Sequence, residues 1–192
     1  GGPTTMRVGL EKSRNLMTVR LASHIGMKRV AETVERFGIY DKMQTHLANS
    51  LGAQETTLLR LTTAYAMLVN GAQRITPTFI DRVQDRAGTS VYSRDKRQCF
   101  ECGPLIAWTP GQPVPEPQQE ENLVSDPRVA YQTVSILEGA IQRGTASGLT
   151  DLDYPMAGKT GTTNDNRDAW FIGFSPDLGV GAYVGCAQPK SL

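Results

Sequence analysis

Nowhere does this sequence carry an apolar run of about 18 residues, the length at which a helix begins to cross a bilayer. Its first residues do not join a charged segment to an apolar one either, so no signal peptide is expected within it. The chain reads as soluble, and any anchor is expected to lie outside it. Histidine is scarce: His24 and His46 stand alone, far from the cysteines. A zinc site on the Cys99-Phe100-Glu101-Cys102 pair would lack two ligands, so no metal and no cofactor is expected. That pair runs into Gly103-Pro104 in loop-like sequence rather than joining a strand to a helix, which argues against a thioredoxin-type motif. Cys99 and Cys102 read as a local loop disulfide or as two inert thiols, accessible and metal-free. Charge imbalance is missing too. Twenty basic against 19 acidic residues, with no basic block, leave nothing that resembles a footprint for nucleic acid.

What is present suits one globular domain: 192 residues, 39% of them hydrophobic, enough for a single core. Met6, Leu10, Met17, Leu21 and Ile25 recur at helical spacing, and a helix over about 5–25, broken or bent near Ser13, fits them. Val30, Val34 and Phe37 predict a second helix ending at Gly38. Leu58, Leu61, Ala64, Tyr65 and Leu68 predict a third, closed by Asn70-Gly71. Past Pro77, β-type residues on either side of Ala87-Gly88 read as a hairpin. The stretch 103–127 is rich in Pro, Gln and Glu, lacks periodicity, and reads as an irregular loop with little order. Helix returns over about 129–142. Three β-type runs close the sequence at 156–162, 169–174 and 178–185. Helices followed by a tight terminal meander predict an α/β or α+β domain with an antiparallel sheet.

The densest chemistry is Gly158-Lys159-Thr160-Gly161-Thr162-Thr163 at the end of a predicted strand. Lys159 supplies positive potential, Thr160 and Thr162 supply hydroxyl donors, and Gly161 lets a ligand approach the backbone. These are the needs of a site that grips a carboxylate and stabilises an oxyanion, although K-T-G alone is also an ordinary polar turn. A phosphate-binding loop of the form G-x-x-x-x-G-K-[ST] is excluded, because position 153 is Asp153 rather than glycine. Upstream, Ser13-Arg14-Asn15 offers a hydroxyl that relays a proton and an amide that holds a carbonyl, provided the helix breaks there.

S-x-N followed by K-T-G is the order found in the signature set S-x-x-K, S-D-N, K-T-G of serine β-lactamases and penicillin-binding proteins. Wider blocks resemble the transpeptidase domain of class A penicillin-binding proteins: 10–16, Leu51-Gly52, Ala64-Tyr65-Ala66, Asn70-Gly71, Leu137-Glu138-Gly139, Arg143-Gly144-Thr145-Ala146, 158–163 and 168–173. They run nearly end to end, with 99–126 as the main departure. The resemblance implies a penicillin-binding, serine β-lactamase-like fold: a five-stranded antiparallel sheet flanked by helices beside an all-helical part, here truncated at both ends. It implies D,D-transpeptidase acyl transfer between peptidoglycan stem peptides ending in D-alanyl-D-alanine, inhibited by β-lactam antibiotics, at the periplasmic or outer face of the bacterial inner membrane.

Under that resemblance Ser13 and Lys159 belong to the proton-handling network, and Asn15 holds the acyl amide. Thr160 and Thr162 bind the substrate carboxylate in the segment that runs through Gly161 to Thr163, and the Thr162 N–H forms part of the oxyanion hole. Ser13 and Lys159 are therefore expected to approach each other. Trp170 and Phe171 are expected in the sheet core. The S-x-x-K segment with the nucleophile, the glycosyltransferase domain and the membrane anchor are expected upstream, and membrane association only through that anchor. Ser93-Arg94-Asp95-Lys96 matches S-x-x-K but follows S-x-N amid charged loop residues, and reads as coincidence. The fragment alone is expected to be inactive. The rival readings are a β-lactamase or D,D-carboxypeptidase of the same superfamily, and a non-catalytic penicillin-recognising module.

Overall fold

A computed structural model describes residues 2–97, 109–112, 122–152, 154–163 and 167–186. Cys99, Cys102 and most of 103–127 lie outside the described residues. The chain divides into two compact units, one formed by Gly1–Ile75 with Leu123–Leu192 and the other by Thr76–Asn122.

In the larger unit, α1 (Met6–Glu11) begins at Thr5, whose hydroxyl accepts the Val8 N–H and so satisfies one of the helix's unpaired donors. After a break at 12–14, the chain resumes as α2 (Asn15–Ile25), turns at Gly26 with a φ of 89°, and continues as α3 (Met27–Arg36). A 3-10 turn at Leu47–Leu51 precedes α4 (Leu58–Val69), which is capped by the Thr57 hydroxyl. α5 (Pro127–Gln142) starts with Asp126 as cap and proline in its first turn, where a missing N–H costs nothing. The residues just before α5 are anchored: Val124 is 1% exposed and its N–H donates to Ala72 O at 2.9 Å.

The sheet of this unit is antiparallel, with β3 (Ala157–Thr162), β4 (Asp168–Phe174) and β5 (Gly179–Gly185) in that order. Ala157 pairs with Phe174 and Gly161 with Trp170. Ala157, Ile172 and Phe174 share one face by alternation, and helices α4 and α5 cover it. Leu137, Ala157 and Phe174 form its core, with Leu10, Tyr65 and Val134 packed against it. A second core of Phe37, Ala64, Met67, Ala72, Val124 and Ala130 holds the helical part, and Leu68 touches both cores. The fold is thus mixed helix and antiparallel sheet, with three strands of the sheet among the described residues.

Trp170 and Phe171 are half-buried rather than core, while Ile172 and Phe174 are buried. The register explains the shift. Trp170 shares the face of Ile172 and Phe174 but pairs with Gly161 toward the end of β3 where burial fades, whereas Phe171 lies on the opposite face, beside Gly158 and Gly173. The smaller unit contains the expected hairpin, β1 (Arg82–Gln84) paired with β2 (Ser90–Ser93), with Gly88 at a φ of 83° in its turn.

Candidate active site

The helix break near Ser13 has a specific geometry. The Ser13 N–H donates to Leu10 O at 3.1 Å and the Arg14 N–H to Gly9 O at 2.8 Å. These two bonds close a helix through one left-handed residue, a position that glycine usually fills. Here it is Ser13, with a φ of 52°. A side chain in that conformation costs roughly 1–2 kcal/mol. The strain delivers the Ser13 hydroxyl to the strand, where the Lys159 ammonium donates to it at 2.9 Å across 146 positions of sequence. Lys159 also donates to Thr160 O at 2.9 Å. Burial holds the Lys159 amine below its ordinary value of 10.5.

β3 forms the edge of its sheet, so one row of its backbone groups has no partner strand among the described residues. The Thr163 N–H donates to Asp168 O at 3.1 Å, which turns it toward β4. By alternation, the N–H groups of Thr160 and Thr162 face the open edge. Thr163 is further fixed by its hydroxyl, which accepts the Asp168 N–H at 2.9 Å and donates to the Asp168 carboxylate at 3.3 Å. At Gly161 a Cβ would come within 3.3 Å of Trp170 Cβ. Asn15, the first residue of α2, is exposed and has no hydrogen-bond partner among the described residues. Its amide is open to a ligand. No three His, Cys, Asp or Glu side chains gather to hold a metal ion among the described residues.

Sequence reasoning gave no individual role to Thr145, whose hydroxyl lies 2.8 Å from that of Thr160. Its only local signal is a hydroxyl placed just after Gly144 at the helix stop; the contact itself depends on tertiary structure.

A family model described as the penicillin binding protein transpeptidase domain matches residues 1–187. The chain belongs to this family. It is 44% identical over 191 residues to penicillin-binding protein 1A of Rickettsia bellii, covering all of this chain and 24% of that protein. A crystal structure of penicillin-binding protein 1A from Haemophilus influenzae superimposes with a TM-score of 0.82 at 29% identity, over 100% of this chain and 31% of that one. PonA1 from Mycobacterium tuberculosis in complex with penicillin V shares the fold, with a TM-score of 0.73 at 21% identity over 99% of this chain and 50% of that one. The chain spans about a quarter of the length of the curated relative it matches.

Ser93, in the smaller unit, does not resemble a nucleophile. It ends β2, its hydroxyl donates to Asp95 O at 3.0 Å, and no helix over 93–96 carries Ser93 and Lys96 on one face.

Two measurements follow from this geometry. Ser13→Gly and Ser13→Ala both remove the hydroxyl and differ only in how they fit the left-handed turn. The glycine variant is expected to be the more stable by about 1 kcal/mol in urea unfolding, and equal midpoints would contradict the strain. For Lys159, the folded chain releases the proton at a lower pH than the unfolded chain. Between those two values the unfolded state binds more protons, so stability rises with pH until the ordinary 10.5 is reached. Relative to Lys159→Met, the unsubstituted chain should therefore gain stability as the pH rises toward 10.5. Denaturation at a series of pH values reads the difference, and a constant gap would show that Lys159 is not desolvated.

Proposed function

We propose that this chain forms the K-T-G side of a D,D-transpeptidase site that cross-links peptidoglycan stem peptides and is blocked by β-lactams. The observation that carries this reading is the Lys159 ammonium 2.9 Å from the Ser13 hydroxyl, beside the open edge of β3. An active serine attacks the penultimate D-alanine carbonyl, the tetrahedral oxyanion collapses, and D-alanine leaves with a proton. The acyl group then passes to an amine on a neighbouring stem. Both halves need a proton moved to or from a nitrogen, and a hydroxyl touching a lysine whose pKa burial depresses is placed to pass one. The outward N–H of Thr162 suits one donor of the oxyanion hole. The hydroxyls of Thr160 and Thr162 suit the terminal carboxylate, and Asn15 suits the acyl amide.

The attacking serine is assigned to an S-x-x-K segment upstream of residue 1, since Ser13 already occupies the relay position and Ser93 lacks a helical setting. The whole protein would then act outside the cytoplasm, at the periplasmic or outer face of the inner membrane. A β-lactamase or D,D-carboxypeptidase is not favoured, because the matching family model is that of the transpeptidase and the matched relatives are penicillin-binding proteins 1A.

Incubation with a fluorescent penicillin followed by intact-mass measurement tests the assignment. No mass shift is expected for residues 1–192, and labelling is expected for a longer chain that includes the upstream segment. An acyl adduct abolished by Ser93→Ala would overturn the dismissal of that serine. One abolished only by Ser13→Ala would make the relay hydroxyl the nucleophile.

A further inference from the structure

Glu11 is the one charged side chain among the buried residues described, only 2% exposed, yet it is neither at the strand nor within the K-T-G segment. Its carboxylate takes both arms of Arg143, Nη2 at 2.5 Å and Nε at 3.2 Å, a fork that fixes the relative orientation of the two groups. The backbones are tied as well. The Thr145 N–H donates to Glu11 O at 3.2 Å, and the Lys12 ammonium donates to Arg143 O. Two glycines make room for this arrangement: a Cβ at Gly139 would collide with the Glu11 carboxylate, and one at Gly144 with Glu11 O and the Ala140 backbone.

Only one member of the pair is buried: the Arg143 side chain is 51% exposed, so the guanidinium reaches in from the surface, and desolvation of the Glu11 carboxylate offsets much of the attraction. What the pair does supply is a single orientation. Each member lies two residues before a hydroxyl that meets β3: Glu11 before Ser13, which meets Lys159, and Arg143 before Thr145, which meets Thr160. The two hydroxyls thus address neighbouring residues of one strand from two separate segments joined at the ion pair.

We propose that the Glu11–Arg143 pair is a positioning device that locks the Ser13 turn to the Thr145 turn and so sets both hydroxyls against the K-T-G strand. Its consequence for catalysis rests on the acyl-transfer reading; its geometric content does not. Glu11 and Arg143 are positioning residues acting through Ser13 and Thr145.

Amide hydrogen exchange and NMR titration of the Lys159 side chain test this in Glu11→Gln, Arg143→Lys and Lys12→Met. In the first two, exchange at Ser13, Arg14 and Thr145 should accelerate at least about tenfold over the unsubstituted chain, while β4 amides hold their rates. The Lys159 titration should move up toward 10.5 as the Ser13 turn loosens. Lys12→Met removes an exposed donor and should move the same signals in the same direction by less. Unchanged exchange at the three amides would overturn the proposal. So would equal acceleration throughout the sheet, or failure of the first two variants to fold with Lys12→Met silent, since the pair would then serve only global stability. A Lys159 that already titrates as an ordinary lysine in the unsubstituted chain would instead count against the acyl-transfer reading, and the exchange data would still decide the positioning.

Discussion

A half-buried ammonium is an expensive group to hold in a protein, and Lys159 is tolerated because specific oxygens meet it where water is reduced. Much of the larger unit can be understood as what is needed to bring those oxygens there. β3 leaves the core as it runs from Ala157 to Thr162, so the K-T-G segment straddles the boundary between packed interior and solvent. The start of the strand is pinned by Leu137 and Phe174, and its far end is left open for a ligand. Helix α1 then has to stop at one residue, in a left-handed turn, for Ser13 to reach the amine.

That turn shows local structure yielding to function. Glycine would relax the backbone at position 13 but has no hydroxyl, and serine accepts the strain while supplying one. The cost is modest beside the burial in the two cores, and it falls at the end of a helix where few other contacts must adjust. The same economy applies to β3, where an unpaired strand edge is a liability for aggregation but also leaves backbone N–H groups free to face a ligand.

Much of this was legible in the sequence. Helical periodicity located α2 to α5, Gly26 and Gly38 marked stops, and the terminal runs matched the three strands within a residue or two. The S-x-N and K-T-G segments pointed to each other by their order in the chain. The 3-10 turns at Leu47–Leu51 and Ser147–Leu149 were not legible, because pieces that short carry no periodic signal. Burial of Glu11 could not be read either: in sequence it is a charge beside Lys12, and its partner lies 132 positions away. Thr145 was visible only as part of a familiar block, since its contact with Thr160 exists only after α5 has packed on β3. Trp170 and Phe171 misled for a related reason: composition says that they are apolar, but only the register reveals that Trp170 pairs with the end of β3 that leaves the core and that Phe171 lies on the opposite face.

The central claim is that Ser13 and Lys159 act as one proton-handling unit. A double-mutant cycle on the rate of acylation by a β-lactam measures this most directly, with Ser13→Ala and Lys159→Ala made singly and together in a chain that carries the proposed upstream serine. Residues acting as a unit are not additive, so the double variant should be slower than the slower single variant by no more than about threefold. Two rate losses that simply multiply would show that the 2.9 Å contact carries no shared function, and would contradict the account.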